Sequence, residues 1–529
     1  MSKETQPISI IPCDTTLRDG AQDPRARLSV AKKLEIARRL DEWGMPYIEG
    51  GWPGANGIDT EFFQETKGLL RNSQLVAFGM TARIGVKPEN DEGLNMLISS
   101  EVPVVTLVGK TWLQHVRRAL KAEGLQNLDT IYRSVAYLTS PSLNREVFFD
   151  AEHWFDGFAQ DPQYAMAALE AAKQGGATTL VLCDTRGGST PEFIYKATRA
   201  VRKRFPNVIL GIHTHNDCDL AVINTIAAVK ARATLIQGTI NGVGERTGNA
   251  DLCVVLSNAK LKYGLRSNLD LQQVFDVAQF IAEQIEIPVP DNNPYTGKQA
   301  FTHKAGLHAS GMERDPESYE HINPSLVGNK RFYVMSEQGG STNVEIMARK
   351  HGFELSRNDP AFTNIVNEMK RLKILGDAQE YLLLHQELGS GILPFSVLDG
   401  SQVTDERGLT PKANIIVQVN GEKFSSSALG NGLINAFDNA LKEALMHKYP
   451  EVCDVTIGDR PEDYQVTGSK NGAGAGTAEE VEVFVRFVCK NESWTSRVRG
   501  TDQQRAGEDA IIDGYRYWIL KSRQQSVLV

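Results

Sequence analysis

Two histidines two residues apart, His213 and His215, close the apolar run that begins at Val208. Residues i and i+2 of a β-strand point the same way. Both imidazoles therefore face one side at the strand's C-terminal end, like two fingers of a metal clamp. Histidine is the commonest nitrogen ligand of divalent metals. The plainer reading is one hydrogen-bonded core histidine and one exposed one. Four further polar clusters bear on the choice: DTTLRDGAQ with Arg18 and Asp19, FFDAEHW with Glu152, CDTRGG with Thr185, and NGVGERTGNADL with Asn249.

Short apolar runs precede these clusters and alternate with amphipathic stretches. The runs are Ile8–Cys13, Pro46–Glu49, Leu75–Gly79, Pro103–Val108, Arg145–Asp150, Thr178–Cys183, Val208–Thr214 and Thr234–Ile240. Helix starts lie between them. Ser29 precedes a run with Val30, Leu34, Ala37 and Leu40 at helical spacing. Asp161-Pro162 and Thr190-Pro191 read as an N-cap followed by proline in the first turn. Eight strands alternating with helices over about 260 residues match a (β/α)8 barrel, with an open doubly wound sheet as the alternative. In a barrel, chemistry sits where strands end, and the polar clusters fall at those ends. The glycines of NGVGERTGNADL read G-x-G-x-x-x-G, one residue too long for a dinucleotide fingerprint. They suit a tight turn with exposed N–H groups instead.

At 529 residues the chain exceeds one compact core. With 57 Lys and Arg against 65 Asp and Glu, the net charge of -8 argues against nucleic acid or an anionic membrane as partner. The six cysteines are widely spaced with no C-x-x-C, which fits a reducing compartment. No apolar leader or 18-residue apolar run is present, so a cytoplasmic location is expected.

Three regions are expected: a barrel at 1–285, a linker and helical subdomain at 286–397, and a C-terminal α/β domain at 398–529. PVPDNNPYTG reads as linker, about 343–387 as helical, and 398–412 as a break. Strand–strand–helix patterns then occur twice, which suggests a duplicated domain, with NGAGAGTA between the copies.

DTTLRDGAQ, HTHND, NGVGERTGNADL and HKAGLHASG together resemble the acyl-CoA-dependent 2-oxo-acid condensing enzymes. These are the 2-isopropylmalate, homocitrate and citramalate synthases, TIM-barrel metallolyases. YIEGGWPGAN, VAFGMTAR, Gly109 to Trp112 and FFDAEHWFDGF are most similar to the (R)-citramalate branch. One departure is Asp23 to Leu28, where relatives carry an uncharged glycine-rich segment and this chain has Arg25 and Arg27.

The resemblance implies the roles. Asp19, His213, His215 and, more weakly, Asn249 would hold one divalent metal, Mg²⁺, Mn²⁺ or Zn²⁺, that polarises the keto group of a 2-oxo acid. Arg18 would pair with the substrate carboxylate or developing alkoxide, and Thr185 would hydrogen-bond the carboxylate. Glu152 would take a proton from acetyl-CoA. His308, often supplied by a partner subunit in relatives, and Tyr319 beside it complete the set, while His303 is structural. The implied reaction joins acetyl-CoA to pyruvate. The alternatives are 2-oxoisovalerate as acceptor, a lyase such as 3-hydroxy-3-methylglutaryl-CoA lyase, whose relatives resemble the barrel alone, or a non-catalytic metal-binding or amino-acid-sensing protein. The C-terminal domain resembles one that dimerises and senses a branched-chain amino acid. Isoleucine is the expected inhibitor, its carboxylate held where Gly430 and Gly432 open a helix.

Overall fold

The computed structural model describes residues 8–303, 308, 311–312, 314–333, 341–372, 375–404, 410–458, 463–468, 480–490 and 492–527. It divides into two compact units. One runs to Phe301 and includes Ile322–Arg331; the other holds Thr302–His321 and the chain from Phe332.

The first unit is a closed barrel of eight parallel strands in sequence order. They are β1 (Ile11–Asp14), β2 (Tyr47–Gly51), β3 (Gln74–Met80), β4 (Val104–Lys110), β5 (Glu146–Glu152), β6 (Thr179–Asp184), β7 (Ile209–Thr214) and β8 (Leu235–Gly238), with β8 pairing back to β1. All eight apolar runs are strands, with ends displaced by a few residues. The expected caps form: Ser29 accepts from Lys32 N, Asp161 from Tyr164 N and Thr190 from Phe193 N.

Alternation along each strand builds the barrel in layers. Tyr47, Val76, Val104, Phe148, Val181 and Leu235 pack its interior. Two and four residues further on, the inward positions turn polar: Glu49 on β2, Asp150 and Glu152 on β5, and Gln237 on β8. The apolar layer closes the barrel, and the polar layer above it makes a floor for a site.

The proline- and asparagine-rich stretch read as linker is bonded to the barrel instead. Asn293 Nδ2 donates to Asp251, Tyr295 to Asn258, and Gln279 to the Thr296 carbonyl. These three bonds tie it to the helices at Leu252–Leu261 and Val274–Ile285.

In the second unit, β9 (Thr302–His303) pairs with β10 (Phe332–Tyr333). Helices Ser341–Lys350, Pro360–Leu372 and Asp377–Leu388 form the helical stretch. The segment read as a break contains β11 (Ser396–Thr404), whose Asp, Gly, Ser and Gln obscure a strand pattern. It pairs antiparallel with β12 (Pro411–Val419), which pairs with β13 (Glu422–Leu429). Helix Leu433–Met446 covers β12 and β13. The second copy has β14 (Thr456–Ile457) and β15 (Tyr464–Gly468) on one edge of β16 (Val481–Cys489), and β17 (Glu492–Gly500) on the other. Helix Gln503–Val527 covers it. Each copy thus has three strand positions, one more than the sequence pattern showed. NGAGAGTA lies outside the described residues. Among the described residues, no helix is long and apolar enough to cross a membrane.

Candidate active site

At the C-terminal ends of the strands lies a cavity of about 420 Å³ whose wall includes Arg18, Asp19, Glu152, Thr185, His213 and His215. Six of the residues expected to carry chemistry thus converge in one place.

The turn after β1 aims Arg18 and Asp19. Buried Asp14 accepts from Thr16 N at 3.0 Å and Thr16 Oγ1 at 2.7 Å, and Thr16 Oγ1 accepts from Ile240 N at 2.9 Å. This ties the turn to the end of β8. Arg18 Nε donates to Glu49 at 2.6 Å, Nη1 donates to Asp19, and the guanidinium lies 4.0 Å from the Phe78 ring centre. Burial works against the charge on Arg18, but Asp19, Glu49 and Asp150 together raise its pKa. Burial also opposes ionised Asp19; Arg18, then His213 and His215, outweigh it and lower its pKa. Asp150 goes the other way. Burial, then Glu49, push its carboxyl well above the usual range.

Asp19, His213 and His215 bring their ligand atoms within 4.8 Å of one another. His213 Nδ1 lies 2.9 Å from Gln237 Oε1, and Gln237 Nε2 donates to Asp150 at 3.1 Å. The amide oxygen accepts, so the His213 proton sits on Nδ1 and Nε2 keeps its lone pair. Burial, then His213, lower the pKa of His215 to about 3, so its ring is neutral. Its Nε2 lies 3.0 Å from His213 Nε2, and Arg246 donates to its Nδ1 at 2.5 Å.

The donor set fits a divalent metal. Asp19 Oδ2 and Asn249 Oδ1 are buried with no hydrogen-bond partner among the described residues, an arrangement that costs free energy unless something else satisfies them. Asn249 faces His215 across an isolated antiparallel bridge. Gly248 makes this possible: its φ is +91°, and a Cβ there would lie 2.0 Å from the Gly242 carbonyl oxygen.

Thr185 Oγ1 accepts from His153 N at 2.8 Å. Its own proton remains available to a carboxylate. Glu152 is paired with Lys110, directly across from it in the β4–β5 register. The two arginines of the unusual segment stay out of the cavity wall. Arg25 folds onto Asp23 at 2.7 Å, and Arg27 donates to the carbonyls of Pro24 and Ala26.

His308 and Tyr319 belong to the second unit, where their ring centres are 4.4 Å apart; His303 is 6.3 Å from His308. Gly432 is the N-cap of helix Leu433–Met446, with no side-chain cap. Gly430 lies two residues earlier, and a Cβ there would meet Ala436 N at 2.3 Å.

Sequence reasoning missed Lys110, Glu49, Asp150 and Gln237. Each is a polar residue at an inward position of an otherwise apolar strand, and that signal was present.

A closed parallel barrel with a carboxylate and two imidazoles at its C-terminal face defines an enzyme of the HMGL-like class, and the HMGL-like family model matches residues 9–281. A homocitrate synthase post-HMGL domain-like model matches 295–377, and the LeuA allosteric (dimerisation) domain matches 375–519. The chain is 39% identical to an (R)-citramalate synthase of Aquifex aeolicus, covering 97% of this chain and 98% of that one. It is 40% identical to an (R)-citramalate synthase of Synechocystis, covering 95% of each. A 2-isopropylmalate synthase of Oceanobacillus iheyensis is 29% identical over 98% of each chain. The chain belongs to the (R)-citramalate synthase family, within the larger group of 2-isopropylmalate, homocitrate and citramalate synthases.

Proposed function

We propose that this enzyme condenses acetyl-CoA with pyruvate, hydrolyses the thioester and releases (R)-citramalate and CoA. The observation that carries this reading is the single cavity that joins a metal-ligand set, a carboxylate-binding cation and a carboxylate base.

Asp19, His213, His215 and Asn249 hold the divalent metal, which when bound supplies Lewis acidity at the keto oxygen. Gln237 keeps the His213 lone pair turned to the site. Arg18, pinned by Glu49 and Asp19, presents its remaining N–H groups to the carboxylate of the 2-oxo acid. Thr185 donates its hydroxyl proton to the same carboxylate. Glu152 removes a proton from the acetyl methyl group, and the resulting carbon nucleophile adds to the keto carbon. His308 and Tyr319 are assigned to the same chemistry by the resemblance of their segment, and the LeuA allosteric (dimerisation) domain favours a homodimer. Mg²⁺ or Mn²⁺ suits the mixed oxygen and nitrogen donors; Zn²⁺ is the other candidate. The six cysteines are free and four are buried, which fits a reducing cytoplasm.

The C-terminal unit is assigned feedback control by isoleucine. A cavity of about 1060 Å³ opens where helices Leu433–Met446 and Gln503–Val527 begin, with Leu433, Ile434 and Ile457 in its wall. The uncapped start at Gly432 leaves N–H groups for a carboxylate, and the aliphatic wall suits a branched side chain.

Thiol release from acetyl-CoA with pyruvate, 2-oxobutyrate and 2-oxoisovalerate tests the reaction. Pyruvate should give the highest kcat/KM. A higher value for 2-oxoisovalerate would reassign the enzyme to 2-isopropylmalate synthesis.

A further inference from the structure

The metal-ligand set and Arg18 serve the 2-oxo acid. The other half of the reaction, loss of a proton from a thioester methyl group, also develops negative charge, on the thioester oxygen. A base alone does not stabilise it. The barrel holds one more cation in the cavity wall, Lys110.

Its placement follows from strand alternation. Val104, Val108 and Lys110 share the inward face of β4, as Phe148, Asp150 and Glu152 share that of β5. The register sets Lys110 opposite Glu152, and Nζ is bonded to Oε2. The two side chains are only 13% and 22% exposed. The strand ends beneath them are locked together. Thr111 N and Oγ1 both donate to the Glu152 carbonyl, at 3.2 and 2.8 Å, and Asn127 Nδ2 donates to the Lys110 carbonyl at 2.8 Å. A rim pair that served only stability would not need this frame.

We propose that Lys110 is a catalytic cation for the acetyl-CoA half of the reaction. In the resting site its charge is matched by ionised Glu152. When a Glu152 oxygen takes the methyl proton, the C–H bond breaks and its electron pair becomes the C=C bond of the enolate. The carbonyl π pair moves to the thioester oxygen. Negative charge thus leaves Glu152 and appears on that oxygen, and Lys110 exchanges one anionic partner for the other. The local charge is balanced before and after, so the transfer separates no net charge in a largely buried site. The inference rests on the condensation reading above.

The test uses full-length enzyme loaded with Mn²⁺ and compares wild type, Lys110→Met and Lys110→Arg. Acetyl-CoA with a protiated or a deuterated methyl group is supplied with pyruvate. Lys110→Met should lower kcat by about 10²-fold or more, the cost of removing one oxyanion donor. The pyruvate KM should stay close to wild type. The isotope effect on kcat should rise as proton removal becomes limiting, and Lys110→Arg should recover part of the rate. Near-native turnover in Lys110→Met would overturn the inference. So would a rate loss with a rising pyruvate KM and an unchanged isotope effect, which marks a role in pocket shape. If wild type released no thiol with any 2-oxo acid, the condensation reading would fall instead.

Discussion

The barrel cavity and the cavity in the C-terminal unit hold charge in opposite ways. In the barrel, Arg18, Asp19 and Asp150 line a volume of about 420 Å³; burial pushes Asp150 up, while partners outweigh burial to keep Arg18 and Asp19 charged. The C-terminal cavity is larger, about 1060 Å³, and much of its wall is amide and aliphatic, around two helix starts. Burying a charge is costly unless a partner is fixed nearby. Such charges are worth keeping where bonds are made, because preorganised charge stabilises a transition state. A site that only senses a ligand can use helix N–H groups, which are charged in part and already desolvated. The two cavities therefore should respond differently to substitution: steeply in the barrel, mildly in the C-terminal unit.

The largest expected effect is loss of a metal ligand. Asp19→Ala and His213→Ala should each abolish condensation and lower bound metal, measured by elemental analysis after desalting. Their effect should exceed the roughly 10–100-fold cost of losing an outer partner. Full metal content in both variants would break the assignment.

Glu152→Gln should come next, with kcat down by about 10²–10⁴-fold and little change in the pyruvate KM. Initial-rate kinetics with varied pyruvate check it; near-native turnover would mean another base.

Gln237→Leu should weaken metal binding by about 10–100-fold while leaving the ligands in place. Titration of apo-enzyme with Mn²⁺ measures this. Unchanged affinity would show that the His213 tautomer needs no support from β8.

In the C-terminal unit, Gly432→Asp is the informative variant. Gly430→Asp is not, because its Cβ would strike the backbone at Ala436. Position 432 is extended with open space around it, and aspartate is a favoured N-cap. The variant should fold, place a negative charge at the helix start and raise the isoleucine concentration for half-inhibition by about tenfold, the effect of 1.4 kcal/mol. The pyruvate KM should not move. If isoleucine, leucine and valine all leave wild type uninhibited, the sensing role is wrong.

The smallest effect is on stability. Burial pushes Asp438 up to about 6 despite the hydrogen bond from Tyr515 at 2.9 Å. An unfolded aspartate titrates near 3.9. Between those values the folded state holds the extra proton, so stability is lost as pH rises through the window, by about 2–3 kcal/mol in full. Asp438→Asn removes this dependence. It should leave the Tm almost unchanged at pH 4 and raise it by a few degrees at pH 7.5 in thermal unfolding.

Much of the barrel was legible in the chain. Its strands are short apolar runs with polar residues at their ends, and both periods are local signals. Helix caps were legible for the same reason. So was the set Arg18, Asp19, Glu152, Thr185, His213 and His215, since each sits just where an apolar run stops. β11 was not, because Ser, Asp and Gly on an edge strand carry no clear alternation. Nor was the attachment of 290–301 to the barrel, since hydrogen bonds such as Asn293 to Asp251 join residues that are far apart in the chain.

By itself, then, the sequence determined which elements form and which side chains stand at their ends, because periodicity, caps and turns act over a few residues. Tertiary structure alone decided the partners. Lys110 meets Glu152, Gln237 sets the His213 proton and Arg18 spans Asp19 and Glu49. Those pairings depend on strand register and barrel closure, and register is a property of neighbouring strands that no single stretch of chain encodes.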